Sequence, residues 1–195
     1  MTDPTPGAPS RRRFLFKGVG LAAGAATPLL ARATPAASRV PDLMGSDARS
    51  IDLVHTHRPE SIGLVYAAGA RYLPESIQHL NWFLRDHYTG EVGVMDPLLF
   101  DQMHRIRQVL GTRAAYQVIS GYRCPETNDR LRGKRRHSGV ARHSLHMEGR
   151  AIDVRLTGVP LAELRDAALS LQAGGVGYYA GSDFVHLDTG PVRRW

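Results

Sequence analysis

The sequence predicts an α+β fold, in which a small antiparallel sheet is flanked by helices. Two observations support this class. Short segments bounded by glycine or proline alternate apolar and polar residues, which is typical of half-buried strands. Longer segments carry apolar residues three or four positions apart, the spacing of an amphipathic helix. The strand-like segments are 49–57, 61–69, 114–123, 150–156, 174–180 and 183–190, and the helical ones are 74–88, 96–111, 125–131 and 160–172.

The first half of the domain is predicted to form a hairpin followed by two helices. The second strand follows Pro59 closely enough to pair with the first one. Pro74 lies in the first turn of the first helix. Asp96 is placed to cap the second helix, which Gly111 ends.

The second half is predicted to carry most of the late strands. A strand at 114–123 leads into a short helix, and the basic segment 130–142 shows no periodicity, so it is predicted to be a loop. The segments 174–180 and 183–190 are predicted to pair with each other around a Gly-Ser turn.

Residues 1–33 are predicted to be a Tat-type signal peptide. Arginines 11–13 precede a short apolar run, and Ala31-Arg32-Ala33 resembles a cleavage site. Residues 34–48 are predicted to be a linker and 49–195 the functional domain. The apolar run is too short and glycine-rich for a stable membrane span. We therefore expect export to the periplasm or cell envelope without lasting membrane insertion, an uncleaved anchor being the alternative.

The positive charge is concentrated in the first residues. The chain has a net charge of +7, and residues 1–33 carry five positive and one negative charge, so +3 remains without them. The basic run between Arg130 and Arg136 has no interleaved aromatic residues. Neither feature indicates a nucleic-acid partner, and we expect none.

Three side chains in the second half have the chemistry of a metal site. Strand alternation turns Asp153 and His186 away from the apolar residues beside them. His146 precedes the strand of Asp153 by a short turn, in which Gly149 lets the chain double back. Two nitrogens and one oxygen, with a fourth position for water, are the ligands of a catalytic zinc, which makes hydroxide available at neutral pH. A simple hydrogen bond between His146 and Asp153 is the alternative.

Residues 144–153, SLHMEGRAID, resemble the S-x-H-x-x-G-x-A-x-D signature of the zinc D-Ala-D-Ala peptidases, which are related in fold to lysostaphin and hedgehog domains. The resemblance implies one Zn²⁺ per chain, held by His146, Asp153 and His186, on the small sheet of a hedgehog-like fold.

The same resemblance implies the substrate contacts. Arg123 in the SGYR motif matches the arginine that contacts substrate and developing negative charge, for which a guanidinium has suitable paired donors. Ser144 is the first position of the signature. His143 precedes it and is expected to lie at the rim of the site.

The motifs HTH, LRDHYTGEV, SGYR-PETN, GVGYY and FVHLDTGPVR-W resemble the YcbK/MepK-like murein endopeptidases, over about residues 49–195. The resemblance implies a metallopeptidase that hydrolyses cross-links between peptidoglycan stem peptides. A D-Ala-D-Ala carboxypeptidase, or a module that binds peptidoglycan without cutting it, is the alternative. The basic run between Arg130 and Arg136 is expected to be solvated or to contact the anionic wall polymer. A monomer is expected, although the sequence leaves the oligomeric state open.

Two aspartates are candidates for the general base. Asp183 lies three residues before His186, where much of the wider family has an acid. Asp188 shares the strand face of His186 and could instead orient that ligand. The family pattern slightly favours Asp183, and strand alternation favours Asp188.

Overall fold

The computed structural model describes residues 47–133 and 140–195. The predicted signal peptide, most of the predicted linker, and Lys134, Arg135 and Arg136 lie outside these residues. Within the two described ranges, no helix is both long enough and apolar enough to cross a membrane.

Eight strands and four α-helices make up the described part of the chain. The helices are α1 (Pro74–Phe83), α2 (Pro97–Val109), α3 (Pro125–Gly133) and α4 (Leu161–Ser170). Two 3₁₀ turns span Leu145–Glu148 and Ala180–Ser182. The strands are β1 (Ala48–His55), β2 (Ser61–Ala68), β3 (Arg71–Tyr72), β4 (Tyr116–Ser120), β5 (Ala151–Leu156), β6 (Gly175–Tyr179), β7 (Phe184–Asp188) and β8 (Arg193–Arg194).

The strands form one mixed sheet in the order β3-β2-β1-β4-β5-β7-β6-β8. The pairs β1–β4 and β6–β8 are parallel, and the other pairs are antiparallel. The prediction of a mixed α and β fold is confirmed, but the prediction of a small antiparallel sheet is wrong. The chain passes through α1 and α2 between β2 and β4, and a long crossover of this kind allows β4 to pair parallel to β1.

The sheet has an apolar face against the helices and a polar face at its late strands. Ile152 and Val154 of β5 and Leu187 of β7 are fully buried in the core, which α2 and α4 join. Asp153 and His186 lie on the opposite face of the same strands, as strand alternation predicts. The candidate metal ligands therefore project from a well-packed part of the sheet.

Helix α1 ends five residues before its predicted end, because the chain turns toward the segment after β4. The backbone amide of Tyr122 donates to the carbonyl of Leu84 at 2.8 Å. A side chain at Gly121 would lie 2.6 Å from that carbonyl oxygen, so the close approach needs glycine. Asp86 then accepts a hydrogen bond from the amide of Cys124 at 3.0 Å. These contacts fix the backbone on both sides of Arg123.

The basic segment also differs from its prediction. Arg130 and Arg132 lie within α3, which runs two residues beyond the predicted helical segment 125–131, so the start of the basic segment is helical and not a loop. The helix continues from its start at Pro125 as far as Gly133, although only two of its residues are buried, Thr127 and Asn128. A helix with so little apolar surface has no hydrophobic periodicity from which to predict it.

Candidate active site

Two histidines and one aspartate converge on the polar face of the sheet. One ligand atom from each of His146, Asp153 and His186 lies within 4.8 Å of the others. The antiparallel register of β5 and β7 places Asp153 directly opposite His186. His146 comes from the 3₁₀ turn just before β5 and is 3% exposed, and Asp153 is 6% exposed. The predicted trio is thus brought together by adjacent elements.

Hydrogen bonds set the orientation of both imidazoles. Nδ1 of His146 donates to the carbonyl of Gly121 at 2.8 Å, which leaves its Nε2 unprotonated and 3.3 Å from Oδ2 of Asp153. An unprotonated nitrogen and a carboxylate oxygen at this distance can both coordinate the same cation. On His186, Nδ1 lies 2.8 Å from Oδ1 of Asp153, and Nε2 lies 3.1 Å from Oδ2 of Asp188. This set of donors fits a metal ion.

Burial and charge act against each other on these groups. Burial lowers the pKa of His146, so its ring is neutral, the form that binds metals. Burial by itself raises the pKa of Asp153, but the two histidines outweigh it and hold that pKa well below its usual range. Burial lowers the pKa of His186, but the hydrogen bonds to Asp153 and Asp188 outweigh burial and raise that pKa to about 9. Asp153 therefore keeps its negative charge beside a neutral His146, and a metal ion would displace the proton of His186 on binding.

The turn before β5 depends on Gly149. This residue has a φ of 68°, and a side chain there would lie 1.9 Å from the carbonyl oxygen of Val94. Its own carbonyl accepts from the amide of Asp96 at 2.9 Å, which ties the turn to the start of α2. The glycine of the signature motif is thus required by both its conformation and its surroundings.

A matched pair of glycine variants separates these two requirements. Gly158 has a similar φ of 73°, but nothing lies within 4 Å of the position that a side chain would take. We expect Gly158→Ala to lower the free energy of unfolding by about 1 kcal/mol, from the backbone conformation alone. Gly149→Ala should lower it by about 2–5 kcal/mol, because a steric clash is added. Urea unfolding measures both losses, and equal losses would contradict the steric argument.

Arg123 lies beside the histidine and aspartate cluster and is held from several directions. Its amide donates to the carbonyl of His146 at 3.1 Å, and Nη2 donates to the hydroxyl of Ser120 at 3.2 Å. Nη2 is also 3.7 Å from Oδ2 of Asp153. Its buried Nε has no hydrogen-bond partner among the described residues. Burial lowers the pKa of Arg123, but a guanidinium stays charged, so this side chain places a positive charge beside the cluster.

These residues line one cleft with a volume of about 480 Å³. His143 and Ser144, both expected at the substrate site, line it as well, His143 being exposed. The sequence prediction missed other lining residues, and four of them carry an aromatic or charged side chain. These are Tyr179, Phe184, Arg193 and Trp195. They belong to the quoted motifs GVGYY and FVHLDTGPVR-W, which were the only signal that could have found them.

The two candidate bases occupy different surroundings. The side chain of Asp183 is 63% exposed, forms an ion pair with Arg155 and does not line the cleft. Asp188 is fully buried on the face of His186. It accepts hydrogen bonds from the amides of Gly175 and Gly190 and from the guanidinium of Arg193. Burial raises the pKa of Asp188, but the hydrogen bond from His186 and those from the backbone amides bring it down to about 2.

The fold and the site together define a candidate metal-dependent hydrolase, and comparison with known proteins shows a family of peptidases. Residues 44–195 match the family model Peptidase_M15_2, described as "Peptidoglycan L,D-endopeptidase MepK". The chain belongs to this family. No solved structure gives a significant match.

Curated relatives match most of the chain. The peptidoglycan L,D-endopeptidase MepK of Escherichia coli (strain K12) is 44% identical over 187 residues, which is 95% of this chain and 97% of that protein. The protein of the same name from Shigella flexneri matches with the same identity and coverage. A probable peptidoglycan L,D-endopeptidase MepK of Haemophilus influenzae is 46% identical over 125 residues, covering 64% of this chain and 66% of the relative.

Proposed function

We propose that this protein is a zinc-dependent peptidoglycan L,D-endopeptidase that hydrolyses cross-links between stem peptides. The observation that carries the proposal is the convergence of His146, Asp153 and His186 beside the buried guanidinium of Arg123. The names of the relatives supply the substrate polymer. Because that polymer surrounds the cell, the place of action is the periplasm or cell envelope, to which the predicted signal of residues 1–33 would direct the chain.

The zinc ion would be held by His146 through Nε2, by the carboxylate of Asp153 and by His186 through Nδ1. The donor set of two imidazoles and one carboxylate is that of a catalytic zinc site. The carbonyl of Gly121 and the carboxylate of Asp188 engage the other nitrogen of each ring, as the partners of metal-binding histidines usually do. When bound, the ion acts as a Lewis acid that polarises the scissile carbonyl and activates water at neutral pH.

Arg123 binds the negative charge of the substrate and of the transition state. Its position is fixed by Ser120 and by the backbone of His146, so it needs no reorganisation when the substrate enters. Cross-links that contain meso-diaminopimelate carry free carboxylates beside the scissile bond. A fixed guanidinium that lines the cleft suits such a group.

Asp188 acts as a positioning residue, which holds His186 in the orientation that turns Nδ1 toward Asp153. Its oxygens already accept from two backbone amides and from Arg193, in addition to His186. This saturation supports a structural role for the carboxylate over proton transfer. The exposure of Asp183 and its ion pair with Arg155 support no direct role in the chemistry.

Replacing Arg123 tests the proposed substrate contact. Arg123→Ala should keep the metal and lose about 10²–10³ in the rate of cleavage of purified cross-linked dimers, because an electrostatic stabiliser is removed. Arg123→Lys keeps a positive charge and should recover part of the rate. Zinc content and rate are measured on the same samples. A wild-type rate for Arg123→Ala with zinc retained would contradict the assigned role.

A further inference from the structure

The end of the chain forms one wall of the cleft. Trp195 directly follows β8. Its amide donates to the carbonyl of Val176 at 3.2 Å, and its carbonyl accepts from the amide of Tyr178 at 2.9 Å. Gly177 provides the room for the indole, since a side chain there would lie 2.7 Å from the ring. The parallel pairing of β8 with β6 thus fixes Trp195 on the sheet at the side of the cleft.

The indole is held in one orientation although half of its surface is exposed. Its Nε1 donates to the hydroxyl of Tyr179 at 2.7 Å, and its ring centroid lies 5.3 Å from that of His186. Phe184 stacks on Tyr179 with the ring centroids 4.6 Å apart. Trp195 nevertheless remains 49% exposed. A fixed and exposed aromatic surface beside the candidate metal ligands has the properties of a ligand contact.

Charges at the cleft indicate which part of a ligand this surface meets. Arg123 and Arg193 both line the cleft, the second being paired with the buried Asp188 at 2.7 Å, and Asp153 is the only acidic side chain in the lining among the described residues. The cleft therefore accepts a ligand with carboxylates, while the aromatic wall accepts an apolar segment of the same ligand. A diamino acid of a stem peptide combines the two, since its methylene chain separates charged ends.

We propose that Tyr179, Phe184 and Trp195 form a subsite that packs against the methylene chain of the diamino acid in the cross-linked stem peptide. The proposal rests on the proposed function, because it takes the cleft to bind peptidoglycan. It assigns to Trp195 a role in substrate affinity that is separate from the metal. The sugar rings of the polymer, which also stack on aromatic residues, are the competing occupant.

Kinetic comparison of two tryptophans tests the subsite. The sequence has two tryptophans, and Trp82 lies on α1, outside the cleft lining and similarly exposed, with Arg85 over its ring. Trp195→Ala should raise KM for purified cross-linked dimers about tenfold with kcat nearly unchanged, from the loss of one well-packed aromatic contact. Trp195→Phe should stay close to wild type, as should the control Trp82→Ala. A wild-type KM for Trp195→Ala would overturn the proposal.

Fluorescence provides a readout that does not depend on turnover. In Trp82→Phe protein loaded with zinc, Trp195 is the remaining tryptophan. Its emission should change saturably with a stem tetrapeptide containing meso-diaminopimelate and not with the peptide carrying alanine at that position. No change with the first peptide, or an equal change with the disaccharide alone, would overturn the proposal. A saturable change in a protein that cleaves no peptidoglycan would support the subsite and refute the proposed hydrolysis.

Discussion

His146→Ala is expected to lose its zinc and its peptidase activity together. His146 is almost fully buried, and its Nε2 faces the carboxylate of Asp153 at 3.3 Å. Removing the imidazole leaves two protein ligands, which is too few for a stable zinc site. Zinc content after gel filtration should fall from about one ion per chain to background. Cleavage of cross-linked dimers should fall to background in the same sample.

The matched control is His79→Ala, which changes an exposed histidine on α1, away from the cleft. Its zinc content and rate should equal those of the wild type. Far-ultraviolet circular dichroism establishes that both variants are folded. Zinc retained at the wild-type level in folded His146→Ala would refute the assigned ligand set, because the remaining residues would then have to hold the ion without this nitrogen.

Asp188→Asn is expected to weaken zinc binding and catalysis together. An amide cannot accept from His186, Arg193 and two backbone amides as the carboxylate does, so the imidazole of His186 is no longer held in place. Loss of such a partner of a metal-binding histidine typically costs about 10–100-fold in metal affinity or activity. Zinc affinity and kcat should fall together, while KM measured at saturating zinc should change little.

Asp183→Asn is the matched comparison for that experiment. Asp183 is exposed and paired with Arg155, and exposed ion pairs contribute little free energy. Its rate, zinc affinity and stability should stay close to those of the wild type. A large loss of kcat in Asp183→Asn with normal zinc binding would instead assign the general base to Asp183, and wild-type behaviour of Asp188→Asn would refute its positioning role.

The sequence predicts those parts of the site that depend only on residues close together in the chain. Strand alternation has a period of two, so the faces of Asp153, His186 and Asp188 followed from the neighbouring apolar residues alone. The position of Gly149 between a histidine and a strand likewise indicated a tight turn, and its φ of 68° is the conformation that such a turn requires.

The missed features depend on contacts between distant segments. The parallel pairing of β1 with β4 joins segments separated by two helices, and alternation within a strand does not reveal the direction of its partner. Strand β8 has only two residues, too few for any periodicity, so the position of Trp195 at the cleft could not be derived. The early end of α1 was missed for the same reason. It depends on the close approach of Gly121 to Leu84, two residues that are distant in the sequence.

Digestion of purified peptidoglycan by the wild-type protein, with and without a chelator, tests whether this chain is a zinc-dependent endopeptidase. The released muropeptides are identified by mass, and zinc is added back to the chelated sample. We expect cross-linked dimers to be converted to monomers, the chelator to stop this conversion and zinc to restore it. Release of terminal D-alanine with the cross-links intact would indicate a carboxypeptidase instead. Cleavage that continues at the full rate in a sample shown to contain no metal would contradict the zinc-dependent mechanism.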